Sequence, residues 1–130
     1  MKKLFSLVVI GVLLASCSIR KGEHTHLYNL DEVKNNLTVK LNEGEVIKIT
    51  AETNPSTGYN WTIQLEDDCS VKLIDKSTEN LYNEGIVGAP LRAIYDFKGE
   101  KIGTCTVSFD YIRSWEGPSQ NPKQIKFIVK

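Results

Sequence analysis

From Leu37 onward the chain alternates apolar and polar residues in short runs, and each run ends in turn formers. Alternation over four to eight residues marks a half-buried strand. Leu37-Thr38-Val39-Lys40-Leu41 is one such run, closed by Asn42-Glu43-Gly44. Residues 45–52 and 59–66 form a second pair of runs, and in the latter Tyr59, Trp61, Ile63 and Leu65 share a face. Val71, Leu73 and Ile74 predict a strand over 70–76, followed by a looser segment, 77–90, containing Asn80, Asn83, Gly85, Gly88 and Pro90. Residues 91–97 read as a strand. Residues 104–112 give the cleanest pattern, with Cys105, Val107, Phe109 and Tyr111 on one side. Ile125, Phe127 and Val129 alternate in the last run, 124–130. No window carries a convincing helical period, although Leu30 to Leu37 has room for one turn. About seven or eight strands in roughly a hundred residues predict an all-β fold, an antiparallel β-sandwich.

If successive strands run up and down, three connections emerge at one end: 54–58, 77–90 and 113–123. The connections at the other end, 42–44, 67–69 and 98–103, are short and charged. The first of the three loops holds two backbone specialists. Pro55 fixes its own φ and drives Asn54 toward extended geometry, and Gly58 permits a φ that a β-carbon forbids. Asn54-Pro55-Ser56-Thr57-Gly58 is therefore either a stiff, shaped tip or an ordinary hairpin turn. In the third loop, Arg113 and Trp115 have two readings of equal weight. They form a contact surface, since Trp and Arg dominate protein interfaces, or Trp115 folds back over the sandwich edge and Arg113 is solvated.

The first residues change the picture of where the protein works. Met1-Lys2-Lys3, an apolar run from Leu4 to Leu14, and then Ala15-Ser16-Cys17 follow the plan of a secretory signal. The run is about a dozen residues, too short for a helix to span a hydrocarbon core of roughly 30 Å. Leu14-Ala15-Ser16-Cys17 resembles a bacterial lipobox, which would leave Cys17 as a lipid-modified first residue; otherwise the protein is secreted and Cys17 is incidental. The expected organisation is a lipoprotein signal peptide at 1–16, a lipid-anchored tether at 17–30 and a β-sandwich at 31–130. The expected address is the bacterial cell envelope, with the outer membrane favoured because Ser18 is not acidic. The lipid is the only membrane attachment expected.

Charge and cysteine content narrow the chemistry. Without Lys2 and Lys3 there are 14 basic and 16 acidic side chains, with no basic stripe for phosphates, so nucleic acid is excluded as a partner. Besides Cys17 there are two cysteines, Cys69 and Cys105, an even number in a chain that leaves the cytoplasm. Both share strand parity with core residues, and whether they bond is open, since geometry decides it. The two histidines, His24 and His26, lie in the tether, so no cysteine or serine of the domain has an imidazole fixed beside it. Two histidines flanking one residue, without further ligands, do not make a metal site. Adjacent Asp67 and Asp68 read as a solvated turn. No enzyme, no metal and no cofactor is expected.

Taken together, the three loops resemble those of the chagasin-type inhibitors of cysteine peptidases. Asn54-Pro55-Ser56-Thr57-Gly58-Tyr59, with Trp61 following, is similar to that family's Asn-Pro-Thr-Thr-Gly-aromatic loop. Val87-Gly88-Ala89-Pro90 stands where the family has Gly-X-Gly-Gly, and Arg113-Ser114-Trp115, within Tyr111 to Ser119, is similar to its Arg-Pro-Trp loop. The likeness runs from about Leu37 to Lys130. It implies an immunoglobulin-like sandwich whose three loops form a wedge for the cleft of papain-like peptidases. The sandwich is not of the antibody type, because residues 45–52 lack the cysteine such a domain needs.

By that resemblance, Thr57 and its neighbours cover the enzyme's thiolate and imidazole. Arg113 and Trp115 grip the primed side, and residues around Gly88 meet the opposite wall. The expected partner is a papain-like cysteine peptidase, bound reversibly by a monomer. Two departures stand out: Pro90 and Leu91 replace two glycines of the middle loop, and Ser114 replaces the proline of the third. They imply a thicker middle loop, a looser third loop, and weaker or differently targeted inhibition. The alternative is a non-inhibitory envelope binding module that uses the same loop end for another protein or a glycan.

Overall fold

The computed structural model of the protein describes residues 26–81 and 88–130. The segment expected to be a signal peptide and Cys17 lie outside the described residues, as does Val87 of the middle loop.

Among the described residues there are eight strands: β1 (Leu27–Asn29), β2 (Asn36–Leu41), β3 (Val46–Thr53), β4 (Tyr59–Leu65), β5 (Val71–Asn80), β6 (Leu91–Gly99), β7 (Gly103–Arg113) and β8 (Lys123–Val129). They build two four-stranded sheets, ordered β1-β3-β6-β5 and β2-β8-β7-β4. The inward residues of both sheets form the core, with Phe97, Phe109 and Phe127 meeting at its centre. Burial within this core pushes the Tyr95 hydroxyl above its usual pKa.

The sandwich is as expected and most of its pairings are antiparallel, with two parallel pairings added. β1 pairs with β3, and β2 with β8, in parallel. The reason lies in the crossing between them. β1 rises beside β3 to a single 3₁₀ turn, Leu30–Glu32, where Leu30 is fully buried. The chain then changes sheet and β2 descends beside β8. Each strand thus lies next to one of its own direction, a pairing that a tight hairpin cannot make.

The same turn moves the domain boundary. Residues 27–30, assigned by sequence to the tether, belong to the sandwich, with Tyr28 packed against its core. A strand of three residues is too short to show a period. β5 runs on to Asn80, beyond its expected end at 76, and its last residues are exposed. It is an edge strand, so nothing selects apolar residues there. A register shift between Leu73 and Asp75 breaks its alternation and exposes Ile74.

Cys69 and Cys105 form a disulfide, their Cα atoms 5.2 Å apart. It ties the β4–β5 connection to the start of β7 across a sequence separation of 36. A cross-link of that span contributes about 3–4 kcal/mol on the chain-entropy estimate. Replacing the pair by Cys69→Ser and Cys105→Ala is expected to lower the urea-unfolding free energy by about 3 kcal/mol. A loss below about 1 kcal/mol would show that the bond adds nothing to packing already in place.

Candidate functional site

The first loop is a built object. Pro55–Thr57 form a 3₁₀ turn, entered from Asn54 at φ −131° and left through Gly58 at φ +82°. The Asn54 carbonyl accepts from the Thr57 N–H at 3.1 Å and from the Thr57 hydroxyl at 2.7 Å. The Pro55 carbonyl accepts from the Gly58 N–H at 3.0 Å. The Ser56 hydroxyl donates to Asn54 Oδ1. The Asn54 and Pro55 carbonyls, the Thr57 and Gly58 N–H groups and the Ser56 and Thr57 hydroxyls are thus engaged within the turn, while Pro55, Ser56 and Thr57 stay exposed. This is the stiff, shaped tip.

The other two loops are fastened to it. Asn54 Nδ2 donates to the Gly88 carbonyl at 3.3 Å, bringing the middle loop alongside. Gly88 has φ +78°, and a Cβ built there would sit 3.8 Å from the Ser56 hydroxyl. Ala89 and Pro90 are half-buried beside it. From the third loop, Arg113 Nε donates to the Thr57 carbonyl at 3.3 Å. Its guanidinium lies 4.4 Å from the Tyr59 ring centroid and 5.9 Å from that of Trp115. The Trp115 ring rests on Gly58, where a Cβ would come within 2.6 Å of Cη2. Even so, Trp115 is 71% exposed. It neither floats free nor folds back over the edge: one face rests on the first loop and most of the ring meets solvent.

The third loop has its own supports. The Glu116 N–H donates to the Arg113 carbonyl at 3.1 Å, closing a turn, and Arg113 pairs with Glu116 Oε1 at 3.3 Å. The Asp110 carboxylate receives the Ser119 N–H at 2.8 Å and also the Ser119 hydroxyl. The far half of the loop is thereby strapped to the outer face of β7.

Sequence reasoning named most of these residues but missed two. Tyr111 was read as an inward residue of its strand and a flank of the third loop, with no contact of its own. Its hydroxyl accepts from the Asn54 N–H at 2.8 Å, and its ring stacks on Tyr59 at 5.3 Å and Trp61 at 4.9 Å. A tyrosine ending a row of core residues is itself a signal, since a buried hydroxyl needs a partner. Asp110 was not singled out, and an outward carboxylate on a strand carries no such signal. The disulfide lies at the opposite pole from the loops. Among the described residues no group of three or more His, Cys, Asp or Glu is placed to hold a metal.

A rigid sandwich that presents three mutually fastened loops and an exposed tryptophan belongs to the class of proteins that bind another protein through loops. The chagasin family of peptidase inhibitors, I42, matches residues 40–129, and the chain belongs to it. It is an inhibitor rather than an enzyme. Amoebiasin-2 of Entamoeba histolytica is 30% identical over 103 residues, covering 79% of this chain and 84% of that protein. Chagasin of Trypanosoma cruzi is 24% identical over 106 residues, covering 79% and 96%. The crystal structure of the cysteine protease inhibitor EhICP2 from Entamoeba histolytica superposes with a TM-score of 0.63 at 29% identity, over 81% of this chain and 95% of that one. The immunoglobulin-like sandwich and the family are as the sequence implied.

Gly58 meets two constraints at once, its positive φ and the ring of Trp115. Gly58→Ala is expected to cost about 1–3 kcal/mol in urea unfolding and to shift Trp115 fluorescence. A variant with wild-type stability and emission would show that Trp115 does not rest on the first loop.

Proposed function

We propose that the protein inhibits papain-like cysteine peptidases by lodging its three loops across the catalytic cleft. The observation that carries this reading is the convergence of Asn54–Tyr59, Gly88–Pro90 and Arg113–Trp115 at one end of the sandwich, in a chain of the chagasin family. Thr57 stands at the tip and meets the catalytic thiolate and imidazole. Arg113 and Trp115 hold the primed side, and Gly88 to Pro90 meet the opposite wall. The similar Entamoeba histolytica protein is itself a cysteine protease inhibitor.

Physical chemistry explains why such a tip blocks the peptidase and is not cut. Cleavage needs a carbonyl presented to the thiolate and to the oxyanion donors behind it. Here the Asn54, Pro55 and Thr57 carbonyls are already taken by hydrogen bonds within the loops, and the backbone is a 3₁₀ turn rather than an extended strand. Since the loops hold their shape before docking, little ordering entropy opposes binding. The complex forms without a covalent step and is reversible.

The setting is the second part of the reading. The basic start, the apolar run and Leu14-Ala15-Ser16-Cys17 support export and a lipid on Cys17. The protein then acts as a monomer anchored in the bacterial envelope. More than one acyl chain gives stable attachment, at about 0.8 kcal/mol per buried methylene.

Titration of papain with residues 18–130 tests the inhibitor reading. Activity is expected to fall with dose, and Trp115→Ala to raise the inhibition constant about a hundredfold, as loss of an interface anchor does. Full papain activity at saturating inhibitor would refute the reading.

A further inference from the structure

We propose that the anchored protein stands with its three loops pointing away from the membrane, so that the peptidase it takes is a soluble one arriving from the aqueous side. This rests on the inhibitor and anchor readings given above and adds an orientation that neither contains.

The polarity of β1 carries it. β1 runs parallel to β3, with Leu27 opposite Lys48. β3 leads upward into the Asn54–Gly58 loop, so β1 begins near the lower end of that strand. The chain arriving from Cys17 therefore enters near the pole remote from the loops. Its entry is fixed there: the His26 carbonyl accepts from the Lys48 N–H at 3.0 Å, and His26 Nε2 lies 3.9 Å from Glu45 Oε1. His26 also borders a recess shared with Asn42, Glu45 and the last residue, Lys130. Asn42 and Glu45 close the short, charged turn of that pole, the Glu45 N–H donating to the Asn42 carbonyl at 3.1 Å.

Magnitudes decide whether the tether could undo this arrangement. Between the level of His26, beside Ile47, and the loop tip lie six strand spacings and one 3₁₀ turn, about 25 Å. Cys17 is nine residues before His26. A chain segment of that length spans at most about 30 Å when fully stretched. To turn the loops onto the lipid surface, the tether would have to run nearly straight along the whole domain. At any shorter reach the loops stay off the lipid: the lower pole faces the bilayer, and Thr57 and Trp115 face the water.

Orientation also fixes the partner. A cleft lying low beside the bilayer is out of reach of the wedge, whereas a freely diffusing peptidase meets it unobstructed.

The test uses the full-length, lipidated protein in phosphatidylethanolamine–phosphatidylglycerol vesicles, with papain as the probe. Wild type is compared with a deletion of Ile19 to His24, each on vesicles and in detergent. Deletion brings the domain down onto the surface. With the loops outward, all four inhibition constants agree within about threefold. If the loops face the lipid, the deletion weakens inhibition on vesicles by tenfold or more and detergent restores it, which overturns the proposal. Two further outcomes also overturn it and identify which premise failed. Protein that does not float with the vesicles refutes the anchor. Floating protein that fails to inhibit even in detergent refutes the inhibitor reading.

Discussion

One side chain joins the loops that must act together. Arg113 places its guanidinium between the rings of Tyr59 and Trp115 and spends Nε on the Thr57 carbonyl. A planar cation with several fixed donors can stack and hydrogen-bond at once; lysine cannot substitute for it. Beneath it the column continues through Tyr59, Tyr111 and Trp61. The indole N–H of Trp61 donates to the Glu52 carbonyl at 3.0 Å, which ties the column back to β3. The loop end is thus held across both sheets by side chains as well as by backbone connections.

The fold explains how loops so distant in sequence come to share that end. β4 and β7 pair antiparallel from Tyr59 opposite Arg113 down to Leu65 opposite Val107. That register brings the exit of the first loop beside the entry of the third. β6 pairs with β3 until Leu91 faces Thr53, which delivers the middle loop to the same place. Asn54 completes the join, with its N–H on Tyr111 and its amide on Gly88. Small shifts in any loop are therefore felt by the others, since they share partners.

Much of this was legible in the residues. The alternating runs located seven of the eight strands, and Pro55 with Gly58 announced a fixed turn. Strand counting placed the three loops at one end before any coordinates did. The parts that were not legible have physical reasons. β1 has three residues and no period to read, so Leu30, fully buried, was counted as tether. Parallel pairing of β1 and β2 depends on where the chain changes sheets, which alternation does not encode. The last residues of β5 are polar because an edge strand faces water on both sides. The disulfide needed a distance. The Asp110–Ser119 strap joins two unremarkable polar residues, and only the path of the loop brings them together.

The central claim is that three segments far apart in the chain form one contact surface. Hydrogen exchange of the protein, free and bound to papain, measures this directly. The account predicts slowed exchange on binding at 54–58, 88–91 and 113–116 together, with no change at 42–45, 66–69 and 100–103. Protection confined to one of the three segments, or found at the opposite pole, would contradict it.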